Sequence, residues 1–362
     1  MEKITLFRTT GRILFGPAAI EKLGTEAQLL KAKKVLIITD PGVIQAGLLE
    51  SVKTSLQSVG LPFVIFDGVE PDPRIEVVEN SVEKAKSEGI NLIIGFGGGS
   101  SLDIAKVTSV LITNPGKIDS FFGIDLVPNP GLPVILIPTT AGTGSEVTPI
   151  AILSDTKEKL KKGIVSSHLF PEVAIVDPKL TVGLPPSVTA FTGMDALTHA
   201  IEAYYSINAT DLSDLFAIRA MDLISKNIRV AYANGENLMA RSNMMEGSLL
   251  AGIAFANAGV GAVHAFAYPL GGEFHLAHGL TNTLMLPYVM RFNIIGCPEK
   301  FARMAKVFGE KVETLSALEG AEMAVKFVER LSDDIRVPRR LRDVGIPEHA
   351  IPGLAEAAMK VT

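Results

Sequence analysis

Five short apolar runs, all before residue 180, constrain this chain most. They are VLIITD (35–40), PFVIF (62–66), LIIGFG (92–97), PVILIP (133–138) and VAIVDP (173–178). Each is too short for an ordinary globular helix and almost unbroken by polar residues. That is the pattern of strands buried on both faces of a parallel sheet. Charged, helix-compatible stretches such as RIEVVENSVEKAKSEG (74–89) lie between them. Strands alternating with helices specify a layered α/β fold. From about Pro186 onward no convincing strand remains, and 187–206, 211–232, 236–257 and 299–331 read as helices. At 362 residues the chain also exceeds what one hydrophobic core organises. The expected fold is therefore α/β plus all-α: an N-terminal Rossmann-like parallel-sheet domain over 1–184 and a C-terminal helical domain over 185–362.

Composition excludes some functions. The net charge is −5 and no basic stripe is visible, which argues against nucleic acid as a partner. The single cysteine, Cys297, allows no intramolecular disulfide framework and reads as a small apolar filler. The start, MEKITLF, lacks the apolar run of a signal peptide. Residues 247–272 carry no Asp, Glu, Lys or Arg and are long enough to span a bilayer. They are rich in Gly and Ala, however, and include Asn257, His264 and Pro269. Buried core helices presenting a polar ligand fit them better than a membrane span. A cytoplasmic location is expected. The mixed-sign stretch 329–345 reads as a solvated helix and turn.

The third run continues as LIIGFGGGSSLDIAK (92–106), a strand, a glycine turn and a helix start. Gly97, Gly98 and Gly99 let the backbone approach a ligand closely. The helix N-terminus offers free N–H groups to a phosphate, and Ser100 and Ser101 add hydroxyl donors. Asp103 falls in the first helical turn, where capping is its ordinary role. The spacing is not the GxGxxG fingerprint, so the turn speaks for phosphate without naming the carrier. After the next strand, IPTTAGTGSEVT (137–148) crowds Thr139, Thr140, Thr143, Ser145 and Thr148 around two glycines. Two polar loops at strand carboxyl ends suit a long ligand such as a dinucleotide. Asp40 ends the first run and is open to two readings. It can bond a ribose 2′-hydroxyl and repel a 2′-phosphate, favouring NAD over NADP, or it can simply form the turn before Pro41-Gly42.

The helical half carries the second chemical feature. GMDALTHA (193–200) places Asp195 and His199 four apart, on one face of a helix. VHAFAYPLGGEFHLAHG (263–279) adds His264 and His278. Of the six histidines in the chain, four (His199, His264, His275 and His278) lie in or beside these blocks. One carboxylate and three imidazoles can hold a divalent transition metal; Fe(II), Zn(II), Ni(II) and Co(II) all accept such donors. Singly, each block reads as a core histidine or a surface pair, and the two together read as a metal site. His168, in a polar loop, reads as solvated.

With these residues in view the chain resembles the iron-containing (group III) alcohol dehydrogenases, from near the N-terminus to about residue 358. GGGSSLD (97–103), PTTAGTGSEVT (138–148), GMDALTHAIE (193–202) and HAFAYPLGGEFHLAHG (264–279) carry the likeness. It is strongest to the lactaldehyde or 1,2-propanediol oxidoreductase, 1,3-propanediol dehydrogenase and butanol dehydrogenase types. The resemblance implies a nucleotide-binding sheet domain and a helical domain, with the active site in the cleft between them. It implies Fe(II), sometimes Zn(II), on Asp195, His199, His264 and His278. It implies the NAD pyrophosphate on Gly97 to Ser101, the adenosine ribose at Asp40, and Thr139, Thr140 and Lys161 around the cofactor. It further implies a homodimer or larger homo-oligomer, and hydride transfer between nicotinamide and a short primary alcohol, diol or aldehyde held on the metal.

Two features depart from the family pattern. Many relatives place a second histidine four residues after His264, facing the substrate; here that position is Tyr268. A phenol donates a hydrogen bond but is a poor base near neutral pH, its pKa being about 10. Tyr268 and His275 are thus the candidates for substrate contact or proton relay, against plainer roles as a pocket wall and a surface group. Relatives also usually continue beyond the Val361-Thr362 end, which points to a shortened chain. Pocket size depends on Phe255, Phe266 and Phe274, which one sequence does not position. A glycerol-dehydrogenase-like or dehydroquinate-synthase-like enzyme is the alternative. The latter needs many basic groups for a phosphorylated substrate, which the apolar block GVGAVHAFAYPLGG (259–272) does not supply. An idle scaffold is disfavoured because all four ligand positions are filled.

Overall fold

The computed structural model describes residues 4–156 and 160–360; Val361 and Thr362 lie outside the described residues. The chain separates into two compact units. One holds Thr9–Thr140 and Gly144–Gly183. The other holds the chain from Leu184 on, together with the segment up to Arg8 and Ala141–Thr143.

Among the described residues the first unit has nine strands: β1 (Arg12–Phe15), β2 (Val35–Ile38), β3 (Phe63–Phe66), β4 (Leu92–Gly97), β5 (Gly123–Ile124), β6 (Val134–Pro138), β7 (Ile150–Asp155), β8 (Leu160–Val165) and β9 (Val173–Val176). Six form one sheet in the order β1-β9-β6-β4-β2-β3, with every pair parallel. The five apolar runs supply five of these strands. Their side chains alternate between two cores. Leu36, Ile38, Ile93 and Leu136 enter one face, and Val35, Ile37, Leu92, Ile94, Ile135 and Ile137 enter the other. Every one of these side chains is almost or fully buried. Burial of each stabilises the fold by about 1.5–3 kcal/mol relative to exposure, which is why the runs need no polar face. Helices α1 (Leu23–Leu29), α2 (Pro41–Gln45), α3 (Leu49–Gln57), α4 (Ile75–Ser87) and α5 (Gly99–Thr113) connect or cover the strands.

The apolar runs do not account for β1, or for a second sheet ordered β5-β8-β7. β1 lies at the sheet edge with its outer residues exposed. β7 pairs antiparallel with β8 and buries only alternate residues. β8 carries Lys161 and Lys162. Half-buried strands have no continuous apolar run to announce them.

The second unit is helical, with α6 (Pro186–Tyr205), α7 (Asp211–Ala233), α8 (Leu238–Ala258), α9 (Ala262–Phe274), α10 (His278–Asn293), α11 (Pro298–Val307), α12 (Ala317–Asp334) and α13 (Ile351–Ala358). α6, α7 and α8 pack on one another, and α10 packs on α6 and α9. The stretch 299–331, expected as one helix, is two. Gly309 adopts a left-handed φ of 87° after α11, and Ser316 with Glu319 forms a capping box that starts α12. The uncharged segment 247–272 also divides, into the end of α8 and most of α9. The two helices are bent by 106° across Gly259–Gly261. No single helix among the described residues is long and apolar enough to cross a membrane. This bent pair meets that test only jointly, by length and composition, and most of its α8 part is buried.

Candidate functional site

Three helices of the second unit bring four expected residues together. α6 is unbroken through Asp195 and His199, so one turn separates them on the same face, with His199 Nε2 4.0 Å from Asp195 Oδ1. α9 contributes His264, whose ring stacks on His199 with centroids 4.6 Å apart. α10 begins at His278, whose Nε2 lies 3.8 Å from Asp195 Oδ1. That approach depends on Gly279, where a Cβ would meet the Phe191 carbonyl oxygen of α6 at 2.0 Å. Donor atoms of Asp195, His199 and His264 all lie within 4.8 Å of one another. His278 is about one-quarter exposed, whereas the other three are buried.

The electrostatics suit metal ligation. Burial would push the Asp195 carboxyl up, but the three imidazoles and the Asn282 amide outweigh it and hold the group below the usual carboxylate range. Burial also pulls His199 down to about 4, against the attraction of Asp195, so its imidazole is neutral with a lone pair to share. A carboxylate and imidazole nitrogens form a donor set for a borderline divalent ion. The donor chemistry therefore fits the metal that the sequence implies.

Two residues of this cluster went unassigned in the sequence. Asn282 Nδ2 donates to Asp195 Oδ1 at 2.7 Å and lies 3.2 Å from His264 Nε2 and 3.3 Å from His278 Nε2. Glu202 Oε2 meets His264 Nδ1 at 2.5 Å. Spacing was the available signal. Asn282 follows His278 by four residues, and Glu202 follows Asp195 by seven, which keeps each on its partner's helical face.

Tyr268, one turn after His264, stands over His278 with rings 5.8 Å apart and nearly parallel, and edge-on to His264. His275 differs. It ends α9 in a left-handed conformation with φ 53°, and its side chain is exposed. Among the described residues it makes no hydrogen bond or ring contact with the cluster.

The first unit assembles the glycine turn. β4 ends at Gly97 and α5 starts at Gly99, with Gly98 as an N-cap that has no capping side chain. Asp40 N-caps α2 through Val43 N at 3.0 Å and accepts from Ser101 Oγ at 3.1 Å. Its turn-forming role is therefore present, and its second oxygen ties the end of β2 to the turn. Gly97 has φ 155°, and a Cβ there would lie 2.6 Å from Ser101 Oγ and 2.8 Å from Asp40 Oδ2. Only glycine leaves this cradle open. Thr139 N donates to Gly97 O, and the Thr140 side chain stands beside Gly98. Ser100 follows at the start of α5, and Thr143 belongs to the short stretch grouped with the helical unit.

Three of the expected cofactor residues make hydrogen bonds in the interior. Asp103 does not cap α5: it accepts from Ser145 Oγ at 2.6 Å and Ile152 N at 2.9 Å. Ser145 and Thr148 receive the buried Lys106 ammonium at 2.7 and 3.2 Å, and Ile150 O takes it at 2.8 Å. Burial pulls Lys106 down to about 8 against Asp103 and Glu146. Lys161, on β8, pairs with Asp72 at 2.6 Å. Lys106→Met leaves the Asp103 carboxylate buried with neutral donors only. It should lower unfolding free energy by about 3 kcal/mol, read as a shift of the denaturant midpoint. An unchanged midpoint would show that the strut contributes no stability.

Comparison with known proteins agrees across both units. The family model described as iron-containing alcohol dehydrogenase matches residues 10–178, and that described as the Fe-containing alcohol dehydrogenase family, C-terminal, matches 189–362. The 1,3-propanediol dehydrogenase of Citrobacter freundii is 45% identical over 348 residues, 96% of this chain and 90% of the relative. The NAD-dependent methanol dehydrogenase of Bacillus methanolicus is 40% identical over 347 residues, 96% and 91% of the two chains. A crystal structure of 1,3-propanediol oxidoreductase superposes with a TM-score of 0.97 at 43% identity, covering 99% of this chain and 94% of that one. The chain belongs to the iron-containing alcohol dehydrogenases. It is an oxidoreductase, and its parallel sheet and helical half are those that the resemblance implied.

Proposed function

We propose that the protein interconverts a short primary alcohol or diol and its aldehyde, with NAD as the hydride carrier and a divalent metal, Fe(II) before Zn(II), in the helical unit. The observation that carries this reading is the convergence of Asp195, His199, His264 and His278. Relatives named for 1,3-propanediol and methanol support the substrate class. Asp195, His199, His264 and His278 would hold the metal, which when bound supplies Lewis acidity toward a hydroxyl or carbonyl oxygen. The chain's residues do the rest. Asp195 stays anionic and His199 neutral, the forms in which each offers a lone pair to a metal. Tyr268, beside His264 and His278, lines the substrate position and offers a hydroxyl donor. Of the two catalytic candidates the reading keeps Tyr268, because among the described residues His275 makes no hydrogen bond or ring contact with the cluster.

The glycine turn supports dinucleotide binding: Gly97 to Ser101 would take the pyrophosphate at the α5 N-terminus, with Thr139 and Thr140 alongside. Asp40 carries the preference for NAD, since a carboxylate there repels a 2′-phosphate. Asp40→Gly should move the NADPH/NADH ratio of kcat/KM toward NADPH by about tenfold or more, one missing charge repulsion being worth about 1.4 kcal/mol. An unchanged ratio removes Asp40 from cofactor choice. A cytoplasmic homodimer completes the reading, and sedimentation of the full chain tests the dimer. The whole reading is tested by loading the protein anaerobically with Fe(II) or Zn(II) and assaying short aldehydes and diols with both nicotinamides. Failure to turn over NADH with every one would reject it.

A further inference from the structure

Glu202 has no part in the activity described so far, yet it is a fully buried carboxylate one step behind the cluster. It follows His199 on α6 by three residues. Its Oε1 accepts from Val263 N at 2.8 Å, in the first turn of α9, and from the Tyr205 hydroxyl at 3.2 Å. Its Oε2 meets His264 Nδ1 at 2.5 Å. The Val263 N–H and the Tyr205 hydroxyl on one oxygen, with the His264 ring on the other, surround this side chain as an ionised acceptor is surrounded. An ionised carboxylate only accepts, so the ring nitrogen facing it must carry the hydrogen. The other nitrogen, Nε2, is then the lone-pair side, and it is the one 3.2 Å from the Asn282 amide that also contacts Asp195 and His278.

We propose that Glu202 is a positioning residue: it fixes the His264 proton on Nδ1 and so turns the Nε2 lone pair toward Asp195, His199 and His278. The consequence for metal affinity rests on the metal reading above, whereas the tautomer does not. A carboxylate behind a ligating imidazole fixes ring and tautomer together and raises the basicity of the ligand. The competing role is a helix cap alone, since Glu202 also serves the N-terminus of α9. Glu202→Gln separates the two. Its amide oxygen can keep the bond to Val263 N, which leaves the NH2 group facing His264 Nδ1. Two donors cannot share that contact, so His264 must move its hydrogen to Nε2, where it blocks ligation.

The test uses the full chain labelled with 15N-histidine and cleared of metal by chelator. Ring-nitrogen NMR shifts assign the tautomer, with the His264 signals identified by their loss in His264→Gln. The wild-type chain should carry hydrogen on Nδ1 of His264, and Glu202→Gln on Nε2. Zn(II) affinity, from competition with a chromophoric chelator, should fall about 10–100-fold in Glu202→Gln. Hydrogen on Nε2 in the wild type overturns the proposal, and this measurement does not depend on Glu202→Gln folding. Unchanged tautomer and affinity in a folded Glu202→Gln overturn it too, leaving Glu202 a cap. If the wild type takes up no Zn(II), the metal reading fails, and the tautomer comparison alone decides the role of Glu202.

Discussion

His264→Ala should leave a folded chain that neither retains metal nor turns over. His264 sits at the centre of the cluster, stacked on His199 and close to Asn282. Its loss takes away one imidazole donor and the contact that Glu202 makes. Glu202 keeps Val263 N and the Tyr205 hydroxyl, so the α9 N-terminus stays capped. Lewis-acid assistance is worth several kcal/mol. At 1.36 kcal/mol per tenfold, losing about 4 kcal/mol lowers kcat/KM by about a thousandfold. Metal content by mass spectrometry and kcat/KM on the same sample check this. Turnover near the wild-type level in a metal-free variant would mean that Lewis acidity is not the source of catalysis.

The second large effect belongs to Gly97. A side chain here meets two obstacles at once: a backbone with φ 155° and a Cβ within 3 Å of Ser101 and Asp40. Ser101 belongs to the first turn of α5 and cannot retreat without moving the helix start. Gly97→Val should therefore deform the turn and weaken NADH binding by about 100-fold, the equivalent of about 2.8 kcal/mol. Metal uptake should be unchanged, because the ligands stand in the other unit. Calorimetric titration with NADH, alongside a metal titration, reads both. NADH binding at wild-type strength would move the dinucleotide away from this turn.

The parallel sheet was legible because its four inner strands, β9, β6, β4 and β2, are buried on both faces, and continuous apolar runs follow directly from that. β1, β7 and β8 escaped because half-buried or edge strands mix polar with apolar residues, as Lys161 and Lys162 do in β8. The break between α11 and α12 had its signals in Gly309 and the Ser316/Glu319 pair, but apolar periodicity on both sides masked it. At the cluster, ligand-type residues drew attention because Asp and His are few and closely spaced. Asn282 and Glu202 sit at equally telling spacings, yet their chemistry is expressed only through neighbours that a sequence does not position. The serine and threonine-rich loop shows the converse. Its polar residues suggested ligand contact, and in the fold Ser145 and Thr148 also accept from a buried lysine on a helix about forty residues upstream in the chain. Composition shows that such a loop has donors but not which way they point.

Metal titration of the chelator-stripped protein, followed by NADH oxidation with a short aldehyde, tests the central claim most directly. Activity should be absent at the start, rise linearly with added Fe(II) or Zn(II), and level off at one equivalent per chain. Full NADH oxidation before any metal is added, or one equivalent bound with no NADH oxidised, would contradict it.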